Sequence, residues 1–238
     1  MELEMLQISE RLKTVASMVP PCHTAADIGT DHGYVPAYLL LTEQCKYVIA
    51  SDIAEGPCEA ARETRDKYGL QQVMDVRTAP GLQGLNANEA EAIVIAGMGG
   101  ATIAAILDES PDICKTVNAF ILQPMNAAGL LRQWLCDHGY RIAEESLCKE
   151  NGHIYVIIKA LHAVEKQTLS LPERELGPCL INEKPALWPE YYREKVTRYR
   201  FLLQQMRRSP AAMESEKYKT LKELLGQLEN PELDAGDS

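Results

Sequence analysis

Seven consecutive residues, Asp27-Ile28-Gly29-Thr30-Asp31-His32-Gly33, hold the densest chemistry in the chain. They follow a short apolar run and precede a helix-like stretch. A glycine at the end of a first strand lets a ligand approach the backbone closely, with no Cβ in the way. The spacing is G-x-x-x-G rather than the G-x-G-x-x-G of dinucleotide sites, and carboxylates flank it. Asp27 and Asp31 repel a pyrophosphate and attract a ligand bearing a sulfonium and an ammonium, which favours S-adenosylmethionine over NAD. A second apolar run ends at Ser51-Asp52-Ile53, with Asp52 lying 25 residues after Asp27. A carboxylate in that place can accept both hydroxyls of a ribose. A third cluster, Ala96-Gly97-Met98-Gly99-Gly100, offers bare backbone where many amino-methyltransferases carry Asn/Asp-Pro-Pro-aromatic. Gln123 and Asn126 form a polar pair near the end of a fifth run, where they are candidates for a pocket rim. Each feature also has a plainer reading: aspartates cap helices, and glycine clusters serve turns and close helix packing.

The elements that must position these residues are legible as a rhythm. β-prone runs at 24–28, 47–51, 72–77, 92–96 and 117–122 alternate with helix-like stretches at about 34–44, 55–68, 100–109 and 126–138. Apolar runs separated by helices signal a parallel sheet covered on both faces. Two further strands, 140–148 and 153–160, are joined by a tight Glu150-Asn151-Gly152 turn. A terminal hairpin on a parallel sheet fits the seven-stranded methyltransferase form of the doubly wound fold. Ahead of the first strand, Leu3, Leu6, Leu12 and Val15 fall near helical spacing before Pro20-Pro21. Beyond residue 160, Pro172, Pro178, Pro185 and Pro189 punctuate a linker-like stretch. Two amphipathic helices follow, striped by Val196, Tyr199, Leu202, Leu203 and Met206, and by Tyr218, Leu221, Leu224, Leu225 and Leu228, with Ser209-Pro210 between them. The expected architecture is therefore α/β: a Rossmann-like domain over 1–160 and a coiled-coil-like helical hairpin over 161–238, whose last residues fray.

Composition narrows the classes. The 238 residues carry a formal charge of −10 and are 46% apolar, enough for a core and too acidic for a wholly basic nucleic-acid coat. The charge is uneven: residues 191–222 hold nine Lys/Arg against three Glu. Seven scattered cysteines form no C-x-x-C pattern and no His/Cys cluster, so neither a metal site nor a disulfide framework is expected. No run approaches the length of a membrane span, and the start lacks the apolar core of a signal peptide. These features point to a soluble, cytoplasmic protein; a monomer is expected, with nothing in the sequence setting the oligomeric state.

The chain resembles the bacterial tRNA (adenine-22) N1-methyltransferase family. The likeness is carried by SERLKTVASMVP (9–20), DIGTDHGYVPAYLL (27–40), IAGMGG (95–100), ILQP (121–124), LRQWL (131–135), GHIYVIIKA (152–160) and LGPCL (176–180). It implies a class I Rossmann-like catalytic domain that uses S-adenosyl-L-methionine, with a C-terminal hairpin that helps hold tRNA. By that resemblance the cofactor residues are Asp27, Ile28, Gly29, Thr30, Gly33, Asp52, Ile53, Gly81, Leu82, Ala96, Gly97, Met98 and Gly99. Asp31 is the candidate catalytic carboxylate, with capping of the following helix as its rival role. His32 either bonds the substrate or closes a turn. RNA contacts are expected of Arg11, Tyr34, Gln123, Asn126, Arg193, Lys195, Arg198, Arg207 and Arg208, together with the remaining basic residues of the hairpin; solvation of a helix face is the rival role of the basic residues, and core packing that of Tyr34. The sequence departs from the family at Pro80, where an Asp or Asn usually precedes Gly-Leu, and at Met125, where Asn usually follows Gln-Pro. Those departures keep open methylation of another RNA or a small amine, and a catalytically silent RNA-binding relative.

Overall fold

The computed structural model describes residues 6–229. Ser9 accepts a hydrogen bond from the Leu12 N–H and starts α1 (Glu10–Ser17). The capping serine shortens the helix expected from the opening leucines. Leu6 and Ile8 are nevertheless buried ahead of it, while Leu3 lies outside the described residues. The chain then alternates through β1 (Cys22–Ile28), α2 (Tyr34–Leu41), β2 (Cys45–Asp52), α3 (Glu55–Lys67), β3 (Met74–Thr78), β4 (Ala92–Met98) and α4 (Gly100–Asp108). After α5 (Pro111–Cys114) come β5 (Ala119–Pro124), α6 (Ala128–Asp137), β6 (Tyr140–Glu150) and β7 (His153–His162).

The seven strands form one sheet in the order β3-β2-β1-β4-β5-β7-β6. β1 to β5 pair in parallel, and β7 enters antiparallel between β5 and β6. The apolar runs are buried on both faces because helices cover both. Ala25, Ala26, Val48, Ile49, Ile93, Val94, Ile95 and Ile121 are sealed from solvent. Strand order reverses between β1 and β4, so the crevice beyond their carboxyl ends is the natural ligand position.

The chain divides between Gln167 and Thr168 into two compact units. In the second unit the stretch expected to be a linker is helical: α7 (Leu171–Leu176), α8 (Pro178–Glu183), then α9 (Trp188–Met206), α10 (Pro210–Met213) and α11 (Glu216–Leu228). Apart from Pro185, which lies between α8 and α9, the prolines start helices rather than separate them. Pro172, Pro178, Pro189 and Pro210 all sit in first turns, where a missing N–H costs nothing. Ser170 and Glu173 complete a capping box at α7. The α9 and α11 stripes meet as expected, with Val196, Leu203, Leu221, Leu224 and Leu225 buried. The Tyr192 hydroxyl donates to the Leu228 carbonyl. The expectation of a frayed end at 230–238 lies outside the described residues. No helix among the described residues is long and apolar enough to cross a membrane.

Candidate active site

The carboxyl ends of β1, β2, β3 and β4 bring the acidic loop, Asp52, the Gly81-Leu82 turn and the glycine cluster to one edge of the sheet. After β1 the chain doubles back: the Gly29 and Thr30 N–H groups both donate to the Ser51 carbonyl, at 2.8 and 3.0 Å. Gly29 has φ +79°, and a Cβ there would lie 2.0 Å from the Met98 methyl carbon. The left-handed φ is what favours glycine here, since the end of the Met98 side chain could swing aside. Asp27 precedes this turn and is 6% exposed. Its acid is pushed up to about 6, chiefly by burial, with the neighbouring Thr30 hydroxyl pulling the other way and the Asp52 charge adding to the rise. The Thr30 and Ser51 hydroxyls are buried without a well-formed hydrogen bond. Asp52 accepts the Ala54 N–H at 2.8 Å, and Ile53 beside it is 72% exposed. Leu82 is sealed, whereas Pro80 is exposed and its carbonyl accepts the Gln83 N–H at 3.1 Å. This donor set fits S-adenosylmethionine: a desolvated carboxylate that gains from a nearby cation, buried hydroxyls at the turn, and backbone that a ligand can touch.

The glycine cluster is tied to the end of β5. The Met125 N–H donates to the Met98 carbonyl at 2.8 Å, and the Gly100 N–H donates to the Asn126 carbonyl at 3.0 Å. Asn126 is exposed beside this junction. Gln123 and Arg11 are placed otherwise. Gln123 is fully buried, so it lines no rim; its Oε1 accepts from the Gly97 N–H at 3.1 Å and from Arg11 Nη1 at 2.7 Å. Arg11 also lies 3.5 Å from the Glu150 carboxylate and 5.6 Å over the Tyr155 ring. Its guanidinium is engaged inside the first unit rather than held out for a phosphate.

Asp31, His32 and Tyr34 stand outside the buried loop. The Asp31 side chain is 82% exposed and 3.6 Å from His32 Nε2. It does not cap α2: Gly33, at φ 67°, occupies the N-cap position with no side-chain bond. His32 and Tyr34 stack on each other, with ring centroids 5.2 Å apart and planes at 18°. They form one wall of a groove of about 610 Å³, completed by Leu6, Gln7 and the α3 residues Glu63, Thr64 and Lys67. In the second unit Arg193 and Arg198 flank the exposed Phe201 on α9. Lys195 Nζ lies 5.3 Å over the Tyr191 ring, Arg207 reaches the Tyr218 hydroxyl at 3.4 Å, and Arg208 is exposed. The described residues contain no cluster of three or more His, Cys, Asp or Glu able to hold a metal.

Sequence reasoning missed two things here. The buried Arg132–Glu145 pair, 2.7 Å apart, joins α6 to β6. The Arg11–Gln123–Gly97 chain links positions 112 and 26 residues apart. Neither has a local signature, although a charged or amide residue set among apolar neighbours is the signal both share.

A family profile described as "Methyltransferase domain" matches residues 8–158. The chain is 35% identical over 229 residues to the tRNA (adenine(22)-N(1))-methyltransferase of Bacillus subtilis (strain 168), covering 94% of this chain and 95% of that one. Among solved structures, a Streptococcus pneumoniae protein in complex with S-adenosyl-L-methionine superposes with a TM-score of 0.80 at 33% identity, over 92% of this chain and all of that one. TrmK of M. capricolum in complex with S-adenosyl-homocysteine superposes with a TM-score of 0.80 at 26% identity, over 94% of this chain and 97% of that one. With the sheet order, the acidic loop and the terminal hairpin all in place, the chain belongs to the tRNA (adenine(22)-N(1))-methyltransferase family.

Proposed function

We propose that this protein methylates N1 of adenosine 22 in tRNA, with S-adenosyl-L-methionine as methyl donor. One observation carries the reading: a buried, cation-seeking Asp27 beside Gly29 stands in the same loop as an exposed Asp31 that does not cap α2, at the switch point of a methyltransferase sheet. S-adenosyl-L-methionine supplies an electrophilic methyl group on a sulfonium. Asp27, Thr30 and the Gly29 turn would hold its charged end, and Asp52 its ribose. The turn at Gly81-Leu82 and the backbone of 96–99 would pack beside it.

N1 of neutral adenine carries a free lone pair, so no base is required before attack. The chain must take the base out of its stack and align N1 with the methyl carbon and the sulfur. Positive charge then develops on the adenine ring, and a carboxylate beside it stabilises that charge and accepts from the exocyclic amine. Asp31 has the exposure and the position for this role. The His32–Tyr34 stack beside it presents aromatic faces to an extruded base.

The test is methyl transfer from labelled S-adenosyl-L-methionine to unmodified tRNA transcripts, read by nucleoside mass spectrometry. The wild type should yield N1-methyladenosine, a transcript with guanosine at position 22 should not accept methyl, and Asp31→Ala should lose at least about tenfold in kcat. Methyl transfer to another nucleotide, or none at all despite cofactor binding, would sink the reading.

A further inference from the structure

β4 and β5 pair in register up to Ala96 and Gln123 and resume at Met98 and Pro124, which leaves Gly97 as an extra residue with no partner opposite. Its N–H is taken instead by the Gln123 side-chain oxygen at 3.1 Å. That oxygen also accepts from Arg11 Nη1 at 2.7 Å. The double use matters because an amide side chain can turn over. Turned over, Gln123 would point its own N–H groups at the Gly97 N–H. Arginine has donors only, so its presence holds the oxygen toward both partners. Arg11 is anchored in turn: its backbone N–H donates to Glu150 at 3.3 Å, its Nε lies 3.5 Å from that carboxylate, and its guanidinium lies over Tyr155. Residues from α1, β5 and the β6–β7 hairpin thus converge on one peptide group.

That group sits where it counts. Gly97 has φ +81°, and a Cβ added there would meet nothing within 4 Å, so the bulge presents its backbone to open space. The next residue, Met98, lies over Gly29 of the acidic loop. A peptide is planar, so fixing the direction of the Gly97 N–H also fixes the Ala96 carbonyl on the other side. We propose that Arg11 and Gln123 are positioning residues for methyl transfer, acting through the Gly97 bulge to set the backbone that the cofactor and the target base share. The inference rests on the methyltransferase reading above. It replaces the phosphate contact and the pocket-rim role expected of these two residues from sequence.

The experiment compares full-length wild type with Arg11→Met, Gln123→Leu, the double variant, and the conservative Arg11→Lys and Gln123→Glu. Displacement of reacting groups by about 1 Å costs on the order of 100-fold, so kcat should fall roughly 10- to 100-fold in each disruptive single variant. S-adenosyl-L-methionine affinity and the KM for tRNA should stay within about twofold, and the double variant should be no worse than the weaker single. Arg11→Lys and Gln123→Glu should recover part of kcat, and hydrogen exchange at the Gly97 amide should speed up in the two disruptive singles. Unchanged kcat, additive losses, a loss that tracks melting temperature, or a raised KM for tRNA at constant kcat would each overturn the proposal. The last of these would make Arg11 a phosphate contact after all. A wild type that makes no N1-methyladenosine overturns both readings, whereas an active wild type with indifferent variants overturns this one alone.

Discussion

Burial holds the Asp27 acid at about 6, above the roughly 3.9 of an unfolded aspartate. Between those two pH values the folded chain binds a proton that the unfolded chain has released. Folding is therefore favoured at the acid side of the window and loses roughly 2–3 kcal/mol as pH rises through it. A bound sulfonium and ammonium reverse the balance by favouring the ionised carboxylate. S-adenosyl-L-methionine should accordingly bind more weakly below pH 6, by up to about tenfold per pH unit, while Asp27→Asn binds weakly throughout with a flat profile. Calorimetric titration between about pH 5 and 7 reads this directly, and parallel profiles for the two proteins would refute it. In solution without ligand, Asp27→Asn should be more stable than wild type at neutral pH, because an amide carries no charge to desolvate.

At the scale of elements, what could be read from sequence followed what is local. The strands of the sheet were legible because β1, β2, β4, β5 and β7 hold apolar runs, while β3 and β6 alternate buried apolar with charged residues, and the Asn151-Gly152 turn announced the hairpin. The acidic loop was legible for the same reason, since its chemistry lies within seven consecutive residues. The short helices α5, α7, α8 and α10 were not, because proline reads as a breaker unless the helix start is known. Contacts between distant positions were hidden too. Arg132 and Glu145 are both sealed from solvent and 2.7 Å apart, tying α6 to β6 beneath the hairpin. Removing one partner leaves a buried charge, so Glu145→Ala should cost about 3–5 kcal/mol in urea unfolding. Replacing both with apolar residues of similar volume should recover much of that. A Glu145→Ala protein as stable as wild type would mean that water reaches Arg132.

For the whole molecule, the informative property is how charge is divided. A chain of net charge −10 repels a polyanion at long range, yet α9 to α11 carry the basic excess. Some of those cations are spent within the unit: Arg200 pairs with Glu229 at 3.1 Å, and Lys219 with Glu216 at 2.6 Å. Arg193 and Arg198, beside the exposed Phe201, are the better candidates for phosphate. Each phosphate neutralised by a basic side chain steepens the salt dependence of binding by roughly 0.7–0.9 in a log–log plot. tRNA affinity measured by fluorescence anisotropy across a range of KCl should therefore fall steeply for wild type. In Arg193→Ala/Arg198→Ala the slope should be shallower by about 1.5, with S-adenosyl-L-methionine affinity unaltered. Phe201→Ala should weaken binding at every salt concentration with the slope unchanged, because stacking releases no counterions. If the arginine variant keeps the wild-type slope, those side chains serve only to solvate α9, and the docking charge lies elsewhere in the chain.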